Sequence, residues 1–229
     1  MEQLQKPPHN AIELLISAWV SWGFDYGKTI PNKSALSMYS IAPIIPYMTL
    51  YERCQDKGAK FKIVGEQIKL LHASDVEGQT TVTAMPVQES QINFHHAITA
   101  AIFDMPQGIY LKRSVPGPSG RRWLYESLVL PLIGPKGGID HGILVGKISP
   151  PENSDTRVWK NILAFDFSNT YITHAQSIDL GFGVSDFSTS LPHNVQLLQP
   201  KSIRAIPVPE NRPPVSNINM PCRAFNVTQ

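Results

Sequence analysis

The chain has 229 residues, 42% of them hydrophobic, and its 20 basic and 18 acidic residues give a formal charge of +2. That length suits one domain with a substantial extension, or two small domains, and the even spread of both charge signs leaves no basic footprint for nucleic acid and no charged tail. The two cysteines, Cys54 and Cys222, have no metal-ligand spacing, and such sparse usage suits a reducing compartment while leaving a disulfide between them open.

In chain order, Pro7-Pro8 precede Asn10, and Asn10 with Glu13 has the form of a helix cap and its reciprocal partner. Ile12, Leu15, Ile16, Trp19 and Val20 then fall at helical spacing on one apolar face of a helix placed over 10–26, which Gly23 and Gly27 end. The stretch AIELLISAWV is too short to cross a bilayer, carries Glu13 and lacks a cleavage site, so neither an anchor nor a signal peptide is expected and the cytoplasm is the expected location. An apolar face needs a cover. A second copy of the chain, meeting Ile12, Leu15, Ile16 and Trp19, is the expected one.

Between Ile30 and Pro46, closely spaced prolines in IAPIIP limit any helix to a turn or two. MTLYERC and AKFKIVG are β-prone runs joined by QDKG, which predicts an antiparallel hairpin. EQIKLLHAS turns helical until Gly78, and a longer helix is predicted from about Gln88 to Asp104, ended by Met105-Pro106. GIYLKRSV, RRWLYESLVL and HGILVGKI follow, separated by PGPSG and IGPKGGID, which predicts a meander of three antiparallel strands. Beyond Pro150-Pro151 the pattern loosens into an extension over 151–229, partly packed on the core through aromatics such as Trp159, Phe165, Phe167, Tyr171, Phe182 and Phe187. From Pro200 it becomes a proline-rich tail.

Taken in order, SAWVSW on the first helix, KTIPNKSAL, IAPIIPYMTLYE, FKIVGEQI, a later DVEGQ and finally ESLVLPLIGPKGGIDHGILVG resemble a family of short bacterial PAS-like proteins best represented in alphaproteobacteria. The resemblance covers residues 10–150. The family commonly has a small hydroxyl residue after its strand-end glycine, where this chain has Glu66 after Gly65. It implies an α+β fold: a PAS-like five-stranded antiparallel sheet covered on one face by helices, with an N-terminal amphipathic helix and a loosely structured C-terminal extension.

Several local features invite chemistry and are better read as structure. IGPKGG lacks the Lys-Ser/Thr pair and the following helix that a phosphate loop needs, so it reads as a turn. His95 and His96 point about 100° apart on a helix and cannot easily share a metal, and neither His72 nor Asp140-His141 makes a stronger site. Cys54 lies in a strand without an activating elbow. Arg121-Arg122 beside Trp123, with Lys112 and Arg113 on the neighbouring strand, form at most a small basic strand end.

What remains is a cavity between sheet and helices, with Phe61, Ile63, Leu70, Phe94, Ile98, Ile102, Tyr110, Trp123, Tyr125 and Val145 as candidate wall residues. An ordinary packed core uses the same residue types. The resemblance implies a non-catalytic sensory or protein-interaction module that binds a small ligand there and signals through a dimer or a separate signalling protein. It requires no haem or flavin, and no catalytic or metal-ligating residue is assigned. An alternative is a small cone-shaped α+β isomerase or hydrolase using Glu126, His95 or Asp104 as acid or base in the same cavity. A closed-core scaffold is a third reading.

Overall fold

A computed structural model describes residues 6–54, 58–72, 76–81, 89–117, 120–151, 154, 170–192 and 194–206. Trp159, Phe165, Phe167 and Cys222, and the tail beyond 206, lie outside the described residues. The protein is α+β. Its strands are β1 (Met48–Arg53), β2 (Ala59–Val64), β3 (Gly108–Pro116), β4 (Arg122–Ile133), β5 (Ile139–Ser149), β6 (Tyr171–Asp179) and β7 (Gln196–Ser202), and its described α-helices are α1 (Ala11–Ser21), α2 (Glu66–His72) and α3 (Glu89–Phe103).

All seven strands join one mixed sheet in the order β2-β1-β5-β4-β3-β6-β7. The first five pair antiparallel and lie where their period-2 patterns place them. The sheet is not five-stranded, however, and it does not stop at residue 150. β6 pairs antiparallel along β3 and β7 adds parallel to β6, so residues 196–202, expected as loose extension running into the tail from Pro200, are a sheet edge. The physical reason lies on β3: without β6 its outer N–H and C=O groups would form a long open edge.

A parallel neighbour needs a long crossover. Segment 180–195 supplies it, with Phe187 packing against Phe94 of α3 at 6.1 Å between ring centroids. Gln107, fully buried, clamps this crossover by donating from Nε2 to Ser185 Oγ (2.7 Å) and accepting from the Ser185 N–H (3.0 Å).

Helices cover both faces, not one. Strand alternation divides the core: Leu128, Leu130, Leu132, Ile143, Val145 and Ile178 face α1, while Ile109, Leu111, Val129 and Leu144 face α3. On α1, Leu15, Ile16 and Trp19 are fully buried against this chain's own sheet, and Trp19 Nε1 donates to the Pro131 carbonyl at 2.9 Å. The dimer face expected there is therefore occupied, and of its residues half-buried Ile12 and Val20 stand at its margin. α1 also ends earlier than 26, and the Asn10 side chain makes no cap hydrogen bond.

The proline-marked connector forms a longer element than a turn or two, a 3₁₀ helix over Met38–Tyr47. With three residues per turn, Ile41, Ile44 and Tyr47 align on one buried side, and Pro43 and Pro46 align with each other on another. The carbonyls of Ile45 and Pro46 pass so close to Gly65 that a Cβ there would sit 2.4 Å from both. Gly65 therefore joins β2 to α2 at a point where no side chain fits.

IGPKGG is the β4–β5 turn: Gly134 N–H donates to Gly138 O at 2.8 Å, Gly137 N–H to Gly134 O at 3.0 Å, and Gly137 takes φ 82°. Among the described residues no helix is long and apolar enough to cross a membrane.

Candidate functional site

The face under α2 and α3 carries an anomaly. β3 alternates Ile109, Leu111, Arg113 and Val115 inward, so Arg113 occupies a core position by the same period that buries its neighbours. It is 8% exposed. Its Nη1 donates to Ser127 Oγ on β4 at 2.9 Å, and the guanidinium carbon stands 5.9 Å from the Tyr125 ring centroid. No Asp or Glu among the described residues pairs with it. Burial lowers its proton affinity, against the pull of the Tyr125 and Tyr51 hydroxyls, yet a guanidinium keeps its charge in any protein.

Two cavities flank Arg113. One of about 50 Å³ lies toward α3, walled by Tyr51, Thr81, His95, Ile98, Thr99 and Ile102 among others. The other, about 30 Å³, lies toward α2 between Thr49, Phe61, Ile68, His72 and Tyr125. Among the described residues the buried hydroxyls of Thr49 and Thr81 have no hydrogen-bond partner, so each cavity has a polar group with unused capacity. The flanking histidines are neutral. Burial first and Arg113 second push His95 down to about 3 and His72 to about 4, with His96 adding to the effect on His95. Burial, eased by Arg113, pushes the Tyr125 hydroxyl up to about 12. Among the described residues the guanidinium is thus the charged group of a pocket otherwise made of neutral polar, aromatic and aliphatic side chains.

Of the predicted wall residues, Phe61, Tyr125, Ile98 and Ile102 line these cavities. Phe94, Trp123 and Leu70 pack in the same layer without lining them. Three do not belong. Tyr110 and Val145 both flank Leu128 in register, which puts them on the α1 face, and Ile63 on edge strand β2 is 43% exposed. The suggested basic strand end does not assemble either, since Lys112 and Arg113 are adjacent on a strand and leave by opposite faces. Arg122 turns instead to Ser114 and lies over the Tyr171 ring at 4.2 Å.

The acid–base suspects are also separated. His95 lines the larger cavity, Asp104 is a half-exposed partner of Arg53 at 2.5 Å, and Glu126 is on the opposite face. There Glu126 accepts a hydrogen bond from Tyr110 and lies 3.8 Å from Lys112 Nζ and 3.9 Å from Lys147 Nζ. These groups line a cleft of about 360 Å³ beside α1, more spacious than either cavity at Arg113. Glu126 answers Lys112 and Lys147 there, while Glu13 Oε2 is buried at the same cleft without a hydrogen-bond partner among the described residues. His141 is no dyad: Lys33 Nζ can only donate, so Nε2 accepts at 3.1 Å and Nδ1–H donates to Asp140 at 2.6 Å, tying the connector to the β4–β5 turn. Among the described residues no three His, Cys, Asp or Glu side chains converge to hold a metal.

Sequence reasoning missed Arg113 by grouping it with Lys112 as surface charge. The period of β3 was the available signal: apolar residues at 109, 111 and 115 place 113 inside. No family model matches the chain, and no curated protein or solved structure shows significant similarity to it.

Proposed function

We propose that the protein is a non-catalytic PAS-like sensory module that holds a small ligand between its sheet and helices α2 and α3 and passes the occupancy to a separate signalling protein. The observation that carries this reading is a buried arginine with no carboxylate partner among the described residues, beside small cavities whose buried threonine hydroxyls have no hydrogen-bond partner there. A closed scaffold core would fill that space with apolar side chains at lower free energy. The order β2-β1-β5-β4-β3 of the first five strands, with two helices over one face, supports the PAS-like assignment.

The enzyme reading loses support because its three suspects occupy different places and His95 is held neutral well below physiological pH. Signalling would operate by a shift in population: a ligand that binds only the closed arrangement of α3 on the sheet stabilises that arrangement. The test is native mass spectrometry of protein purified from its own host, under gentle and denaturing conditions. A mass surplus that is lost on denaturation is expected, while a ligand-free protein under gentle conditions would count against the sensory reading.

A further inference from the structure

We infer that the cavity beside Arg113 is a binding site for a planar monoanion of three or four non-hydrogen atoms, of the formate, acetate or nitrate class. This rests on the ligand-binding reading above and names its ligand chemistry. The first argument is charge. A guanidinium taken out of water loses solvation worth several kcal/mol, and only a paired or hydrogen-bonded environment returns it. Arg113 has one neutral hydrogen bond, to Ser127, and no carboxylate among the described residues. The remaining N–H donors of its planar fork match two coplanar oxygens of a small anion.

The second argument is room. The larger cavity, about 50 Å³, exceeds what one water needs, yet is far below the volume of a drug-sized or cofactor site. It suits a few atoms, which excludes a haem, a flavin or a dicarboxylate without rearrangement. The third argument is the lining. The Thr81 hydroxyl, buried and without a partner among the described residues, supplies a further donor, and Ile98, Ile102 and Leu111 supply an apolar wall. In such surroundings a charge-assisted pair is stronger than at the surface. The cavity is walled by both α3 and the sheet, so an anion there bridges the two layers.

The experiment is thermal unfolding of the full chain at constant ionic strength in sodium formate, acetate or nitrate, each against sodium gluconate, a monoanion too large for the cavity. The expected result is a rise in Tm of at least about 5 °C when a small anion is present at a hundredfold excess over its Kd. Arg113→Met should abolish that rise. Equal Tm in all four salts, or a rise that persists in Arg113→Met, would overturn the inference. If Arg113→Met does not fold, the wild type decides through 13C NMR of labelled formate. A bound signal displaced by nitrate supports the site, and the lack of one refutes it. The two readings fail separately: a retained neutral ligand in native mass spectra, without any anion effect, removes the anion and keeps the sensory module. An Arg113→Met protein more stable than wild type, with neither ligand nor anion effect, removes both.

Discussion

Lowering the pH from 7 to 5 should destabilise this fold through two histidines that it keeps neutral. His95 is pushed down to about 3 and His72 to about 4, from an ordinary value of 6.5, with burial the larger cause in each case and Arg113 the next. The unfolded chain takes up a proton at each ring as the pH falls below 6.5. The folded chain does so only when the pH falls through the lowered values. Within that window the unfolded state binds more protons, so stability is complete above 6.5 and declines toward acid. At pH 5 a free histidine is protonated roughly thirty times out of thirty-one, which makes the cost about 2 kcal/mol per residue between pH 7 and 5. The pair together costs about 4 kcal/mol, a large part of a typical domain's ~5–15 kcal/mol. Urea unfolding followed by tryptophan fluorescence at both pH values gives the wild-type loss, and His72→Gln/His95→Gln gives the loss without the two rings. The carboxylates titrate alike in both proteins and cancel. An equal pH dependence in wild type and double variant would refute the argument.

Four further outcomes follow from packing. Trp19→Glu should abolish the cooperative thermal transition seen by circular dichroism, because the side chain is fully buried against the sheet, whereas a folded variant with only a changed oligomeric state would restore the dimer reading. The milder Trp19→Phe leaves the Pro131 carbonyl without its donor and should cost about 1–3 kcal/mol in urea unfolding. Gly65→Ala should cost at least about 2 kcal/mol, since a Cβ would meet two backbone carbonyls at 2.4 Å that no rotamer change can move. An unchanged urea midpoint would contradict that geometry. A chain ending at residue 151 should aggregate on size-exclusion chromatography, because it bares the β3 edge and removes Ile172, Ala175 and Ile178 from the core. A monodisperse, folded 1–151 protein would show that the β6–β7 addition is dispensable.

Sequence patterns were most informative where one local period governs one element. The runs at 48–54, 59–65, 108–115, 121–130 and 141–148 alternate as strands and became β1 to β5, and the glycines of IGPKGG turn the chain between β4 and β5 as their φ freedom allows. A pattern marks which face of an element is apolar, not what covers it. The apolar face of α1 fitted a second copy of the chain equally well until Leu15, Ile16 and Trp19 were placed against β4 and β5. Tyr110 and Val145 were grouped with Trp123 and Tyr125 because all four suit a wall; register separates them, since one residue along a strand is the opposite side of the sheet.

The addition of β6 and β7 depended on long-range pairing with β3, which the loose pattern of 171–202 does not announce. The site divides in the same way. Four of its wall residues could be read from apolar spacing, and the position of Arg113 was implicit in the alternation of β3. That no carboxylate among the described residues faces its charge is set by what β4, α2 and α3 bring alongside, residues distant in the chain and near only in the fold. The sequence by itself determined β1 to β5 and the phase of each, because those follow from neighbouring residues on one backbone. The tertiary structure decided which faces meet, and with them the partner of α1, the edge of the sheet and the burial of a cation in its core.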